Sequence, residues 1–257
     1  MSEQVGVGRE WREAAGRDGV VLLDGFHALK HALRFGAEVL AAVADDPEAV
    51  RALAAGLAPD VAPQVERLVR RAELKELLPR VHPTGVAALA VRPDREQGRA
   101  ALARTPRTAP IVLLDNPRNL GNVGAVVRLA AGFGATGVLT RGDLDPWHPN
   151  VVRAGAGLHY ATTVDRVELE ELPAGPVYAL DPEGADIRAL TLPDDALLAF
   201  GSERHGISPE LRARADHLVS LPMRPQVSSY NLATSVAMTL FHWGGPPPAA
   251  EQGGEHS

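Results

Sequence analysis

The chain has 257 residues, 45% of them hydrophobic, which is enough for one large buried core or two smaller ones; it has no cysteine, which excludes disulfides and thiolate metal sites. No charge-free apolar stretch reaches the roughly 18 residues that a membrane span needs, and the first residues mix acids and arginines without the apolar run of a secretory signal, so the expected location is the cytoplasm. A net charge of −6 argues against a general polyanion binder, but residues 1–108 hold 16 basic and 15 acidic side chains (net +1), whereas residues 109–257 hold 10 and 17 (net −7). A nucleic-acid partner would therefore be met by local patches and not by the global field.

In chain order, Val20–Leu23 reads as a strand, Phe26–Arg34 as a helix that stops at Gly36, and Val39–Val43 as a second strand. Pro47–Ala55 and Arg70–Leu78 read as helices, and Gly85–Val91 as a closing strand. Strands alternating with helices predict a small α/β sandwich over residues 1–95. Its densest basic run contains Arg67, Arg70, Arg71, Lys75, Arg80 and His82. Of these, Arg70, Arg71, Lys75 and Arg80 are candidate phosphate contacts, although a solvated helix face beside Glu66, Glu73 and Glu76 explains the run equally well. Arg92–Pro110 is polar and bracketed by prolines, a short helix and linker centred on residues 96–109.

The second half, residues 110–245, predicts strands at Ile111–Leu114, Gly137–Thr140, Val177–Leu180, Leu197–Phe200 and His217–Leu221. Helices are expected at Val123–Ala131, Pro209–Ala215 and Ser229–Trp243. The Gly- and Pro-rich end, residues 246–257, reads as a disordered tail. In an α/β sheet, ligands gather outside the carboxyl ends of the strands. Three polar, glycine-bearing segments follow strands here: Asp115–Asn122, Gly201–Ser208 and Pro222–Asn231. Gly132–Gly137 matches G-x-G-x-x-G, but it closes a helix and leads into a strand, the reverse of a dinucleotide fingerprint, and reads as a helix cap and turn.

In the first segment Asn122 is a fitting N-cap for the following helix. Arg128 lies among Val126, Val127 and Leu129, either gripping a ligand or extending to solvent. In the second, Gly201 and Gly206 bracket a charged turn containing Glu203 and allow close backbone approach to a ligand; an ordinary loop fits as well. In the third, Ser229 and Asn231 start an apolar helix, and capping alone accounts for them.

As a set, over Ile111–Trp243, the segments resemble the three motifs of the SpoU (TrmH) family of RNA ribose 2′-O-methyltransferases, in the SPOUT superfamily: N-x-x-x-x-x-R, G-x-E-x-x-G and P-M…S-x-N. Asp145-Pro146 and Val152-Arg153-Ala154 are similar to the family's linking segment, with Gly155 where serine is frequent. Pro225 stands in place of a usual glycine, and Tyr230 in place of a usual leucine. LLDGFHALKHAL and HPTGVAALAV resemble the ribosomal-protein-like RNA-binding domain often found ahead of such catalytic domains.

The resemblance implies a trefoil-knotted α/β domain, a homodimer with active sites at the subunit interface, and S-adenosylmethionine as cofactor with no metal. It implies a catalytic set of Asn122, Arg128, Glu203, Ser229 and Asn231. The implied cofactor pocket comprises Gly201, Glu203, Gly206, Ile207, Leu221, Met223, Ser229 and Asn231. The implied substrate is ribosomal RNA in preference to transfer RNA, for housekeeping or for antibiotic resistance. A catalytically silent RNA-binding factor and a nicotinamide oxidoreductase are the competing classes.

Overall fold

The computed structural model describes residues 2–244, with side chains from residue 6 onward; the expected tail, residues 246–257, lies outside the described residues. The first half runs α1 (Ser2–Ala15), β1 (Val20–Asp24), α2 (Phe26–Arg34), β2 (Val39–Ala44), α3 (Pro47–Leu57), α4 (Ala62–Leu68), β3 (Val69–Arg71), α5 (Leu74–Leu77) and β4 (Val86–Val91). The connecting helix is α6 (Arg95–Leu102). The second half runs β5 (Ile111–Asp115), α7 (Leu120–Phe133), β6 (Gly137–Arg141), α8 (Pro149–Ala154), β7 (Thr163–Arg166), β8 (Val177–Asp186), β9 (Leu197–Phe200), α9 (Pro209–Arg214), β10 (His217–Ser220) and α10 (Leu232–Trp243). No described helix is long and apolar enough to cross a membrane.

The first half folds as a four-stranded sheet in the order β1-β4-β2-β3, with β2 and β3 parallel and the other pairs antiparallel. The second forms a six-stranded, wholly parallel sheet in the order β10-β8-β9-β5-β6-β7. Its central strands β5 and β9 are buried at every residue, which is why IVLLD and LLAF read as unbroken apolar runs.

The structure departs from the expected elements at several places: α4, α8 and β7 are additional to them, and two departures bear on the first half's packing. The expected helix over Arg70–Leu78 is instead the edge strand β3, paired with Ala42–Ala44, followed by the single turn α5. Three residues at a charged edge carry no periodicity, and tertiary pairing decides their state. Helix α1 has no counterpart in the sequence reading, yet Val7, Trp11 and Ala14, spaced four and three apart, bury a stripe against Leu74, Ala87 and Leu89. The Gly132–Gly137 motif does close a helix: Gly134 sits at φ 73 as the C-cap of α7, and the Ala135 N–H bonds the Ala130 carbonyl at 2.9 Å.

The two sheets share one core, in which Ala28 and Leu29 of α2 belong with Val151 and Val152 of α8. The joint is polar at its rim. Arg153 Nε donates to Asp24 Oδ2 at 2.6 Å, and the Tyr160 hydroxyl donates to the Val91 carbonyl at 3.0 Å. Just after α8 the His159 ring is fully buried, 5.0 Å from Trp147, with Nε2 3.0 Å from the Pro146 carbonyl. Burial drives its pKa down to about 4, so it is neutral near pH 7. This ring explains the glycine at 155: a Cβ there would lie 2.8 Å from His159 Cε1. Gly155→Ser is accordingly expected to cost about 1–3 kcal/mol from overpacking. The loss should shrink in a His159→Ala background, as measured by denaturant unfolding of the four proteins in the cycle.

Candidate active site

The site lies where the parallel sheet ends. Strand β5 finishes in Asp115, an acid at the end of an otherwise apolar strand, only 1% exposed. One carboxylate oxygen accepts from Arg141 of β6 at 2.8 Å and from Asn116 Nδ2 at 3.2 Å; the other accepts from the Ser208 N–H at 2.7 Å. A buried charge needs such partners, and these partners tie the ends of β5 and β6 to the loop after β9. Asp115 is not among the candidate residues expected from the sequence, although a lone acid closing an apolar run is the visible signal of this clamp.

Helix α7 begins one turn earlier than expected. Asn119, not Asn122, is its N-cap: the Asn119 side chain accepts from the Asn122 N–H at 3.0 Å with extended backbone geometry. Asn122 therefore sits inside the first turn with its own amide free to reach outward. Its Nδ2 donates to Glu203 Oε1 at 2.8 Å, and its Oδ1 accepts from Asn231 Nδ2 at 3.1 Å. Asn231 in turn caps α10, its Oδ1 accepting from the Ala233 N–H at 2.9 Å. One chain of amide and carboxylate groups thus joins the ends of three separate segments.

Glu203 also accepts from the Arg118 N–H at 3.3 Å. Partial burial pushes its carboxyl up, but the bonds from Asn122 and from the backbone N–H groups of Glu203, Arg118 and Asn119 outweigh this and hold it below its ordinary range. It is therefore ionised at neutral pH.

The loop carrying Glu203 is pinched shut by reciprocal Ser202–Gly206 backbone bonds, both 3.0 Å. Gly201 permits that closure, because a Cβ there would collide with the backbone of Gly206 and Ile207. Gly206 adopts φ 67. Ile207, Leu221 and Met223 are half-buried around the ends of β9 and β10.

Both unusual residues of the third segment have structural roles. Pro225 and Gln226 are the central residues of a turn closed by the Val227 N–H onto the Arg224 carbonyl at 3.3 Å, with Gln226 at φ 74. The Tyr230 hydroxyl donates to the Pro222 carbonyl at 3.0 Å and ties the loop's two ends together.

Not every candidate residue converges. Ser229 is exposed on the loop next to Asn231. Arg128 is also exposed and makes no hydrogen bond or ion pair among the described residues. It is not in the apolar setting its neighbours in the sequence suggested, because Val123, Val126, Val127 and Ala130 turn the other way into the core. Six residues on from Asn122, it lies roughly 9 Å along the helix and on a different face. Its charge is felt by His27 of α2, whose pKa is lowered by burial and by Lys30, Arg128 and His82. Of the basic run, Arg70 pairs with Glu10 at 3.0 Å and Arg71 lies 4.0 Å from Asp46; Lys75 is exposed on α5, and Arg80 lines a cavity with Arg118 and Arg153 of the second half.

A sequence model of the SpoU rRNA Methylase family matches residues 109–241, just over half of the chain. The chain belongs to this family. Among curated relatives, mouse mitochondrial rRNA methyltransferase 3 is 34% identical over 168 residues, covering 64% of this chain and 39% of its own. The 23S rRNA (uridine(2479)-2′-O)-methyltransferase of Streptomyces viridochromogenes is 29% identical over 144 residues, with 51% of this chain and 50% of its own covered. The chain thus spans half or less of the length of these two relatives.

Solved structures share the fold at nearly full length. The AdoMet-bound rRNA methyltransferase of Sinorhizobium meliloti aligns with a TM-score of 0.71 at 22% identity, covering 92% of this chain and 93% of that one. The SpoU methyltransferase AviRb of Streptomyces viridochromogenes, in complex with AdoMet, aligns with a TM-score of 0.70 at 23% identity, covering 92% and 96%. The architecture is therefore that of the SPOUT methyltransferases, an α/β fold with a parallel sheet.

The amide chain makes a separable prediction. Asn231→Ala should cost about 1 kcal/mol through loss of the α10 cap. Asn231→Asp should keep the cap and the melting temperature, while losing the donor to Asn122 and with it the site's activity. Equal activity of the Asp variant and wild type, at matched stability, would contradict a functional role for that bond.

Proposed function

We propose that the chain transfers a methyl group from S-adenosylmethionine to a ribose 2′-hydroxyl of RNA, ribosomal RNA in preference to transfer RNA. The observation that carries this reading is the convergence of the three motif segments on Asn122. The rRNA 2′-O-methyltransferase among its relatives and the AdoMet complexes of its structural neighbours support the reaction and the cofactor.

The residues fit that cofactor. The loop from Gly201 to Ile207 offers backbone at close approach, and a Cβ added at Gly206 would meet no atom within 4 Å, so the space beside it is open. Leu221, Met223 and Ile207 supply apolar contact for the adenine. Bound there, the sulfonium provides an already electrophilic methyl group, which leaves alignment and handling of the hydroxyl proton to the protein.

Asn122 and Asn231 set the orientation of the pocket's two loops, and Glu203 anchors them as a carboxylate. Ser229, exposed beside Asn231, orients the cofactor. Arg128 stabilises the alkoxide that develops at the ribose oxygen, because a guanidinium does not give up its proton readily enough to act as the base. The proton passes to phosphate or water.

Arg128 is exposed and takes no part in the hydrogen bonds that join Asn122, Glu203 and Asn231, which favours a dimer in which it serves the partner's site. The exposed Phe241 on α10, 68% accessible beside α7, supports that surface as the contact. The return of the chain from edge strand β10 to Asn231 beside α7 agrees with the threading that the family's knot requires. The four-stranded half is the RNA-binding domain.

Arg128→Ala is expected to lower single-turnover methyl transfer to RNA about a hundred- to thousand-fold with cofactor affinity unchanged. Arg128→Lys should recover little, since a point charge does not replace the planar fork. A fully active Arg128→Ala enzyme would remove this mechanism.

A further inference from the structure

A cavity of about 560 Å³ opens where the two halves of the chain meet. Arg80 reaches it from the segment between α5 and β4. Arg118 and Asn119 reach it from the loop before α7, and Asn150 and Arg153 from α8. Its lining holds three guanidinium groups and no carboxylate. On a chain with net charge −6, that grouping is local and specific.

The three arginines are not equivalent. Arg153 is committed through Nε and Nη2 to Asp24 and so belongs to the joint, while its Nη1 turns toward Asn150 Oδ1 at 3.5 Å. Arg80 and Arg118 are exposed and have no acid partner among the described residues. This contrasts with Arg70 and Arg71 of the same basic run, which have Glu10 and Asp46 beside them. The first turn of α7, Leu120 and Gly121, lines the same cavity.

The cavity also abuts the site. The backbone N–H of Arg118 holds Glu203, and the side chain of Asn119 caps the turn that carries Asn122. Two unpaired planar forks flanking an open cavity match a phosphodiester, which accepts bidentate hydrogen bonds and remains solvated on its other side.

We propose that this cavity seats a backbone phosphate of the substrate RNA next to the nucleotide being modified, with Arg80 and Arg118 as its two grips. Both halves of one chain then hold the same strand, and the Arg153–Asp24 pair sets the spacing between them. Arg80 and Arg118 are positioning residues in this arrangement. The inference rests on the RNA-methylation reading above.

The test is equilibrium binding of an unmodified in vitro transcript of large-subunit ribosomal RNA to the full-length protein over a series of salt concentrations. Arg80→Gln and Arg118→Gln should each weaken binding about tenfold and lower the salt-dependence slope by about 0.7–0.9. S-adenosylmethionine affinity and melting temperature should stay at wild-type values. Arg118→Lys should keep most of the slope, since phosphate accepts a point charge, which distinguishes lost charge from a disturbed loop.

Wild-type affinity and slope in both Gln variants, alongside a wild-type protein that binds the transcript, would overturn the subsite alone. A wild-type protein that binds no RNA would overturn the parent reading and the subsite with it. Loss of inorganic phosphate binding in the variants, with RNA binding unchanged, would reassign the cavity to a free anion and also overturn the proposal.

Discussion

The arrangement of this site depends on the primary amide of Asn122. It must donate to Glu203 and accept from Asn231 at once, and at that length an amide is the group able to do both. An aspartate would set a carboxylate against Glu203, and a serine would not span the two partners. Each bond is exposed and contributes only about 0.5–1.5 kcal/mol net, so the chain of bonds contributes geometry more than stability. It fixes the first turn of α7, the loop after β9 and the start of α10 relative to one another.

That amide is free because the helix cap falls elsewhere. Asn119 satisfies the first turn, and Asp115 fastens the strand end beneath it. The parallel sheet explains why these parts meet: β9 and β5 are neighbours running in one direction, so their carboxyl-end loops emerge side by side. The joint with the four-stranded half is built on α8 and the segment after it. The buried His159 ring there takes the space that a side chain at position 155 would need, and Arg153 reaches Asp24.

Much of this is legible in the sequence. The uniformly apolar strands IVLLD and LLAF announce a parallel sheet buried on both faces, and Ser208-Pro209 and Asn231 announce helix starts that the structure contains. The types and order of Asn122, Glu203 and Asn231 point to their meeting, but their hydrogen bonds cannot be read from spacing, because they join residues 81 and 109 positions apart. The cap at Asn119 escapes a sequence reading because two asparagines three apart both suit an N-terminus, and only backbone geometry decides between them. Strand β3 escapes it because three charged-edge residues have no period. For Arg128 the sequence leaves a ligand and solvent both open, because apolar neighbours in sequence are not neighbours in space on a helix: the valines face the core and the arginine faces solvent.

Whether this geometry marks a ribose for methylation is tested most directly by mapping 2′-O-methylated nucleotides, through their resistance to alkaline cleavage, in ribosomal and transfer RNA from cells with and without the gene. The expected result is at least one ribosomal RNA position that is protected only when the gene is present, and restored by the wild-type protein in trans. Identical maps for both cell lines, with the protein expressed in the first, would contradict it.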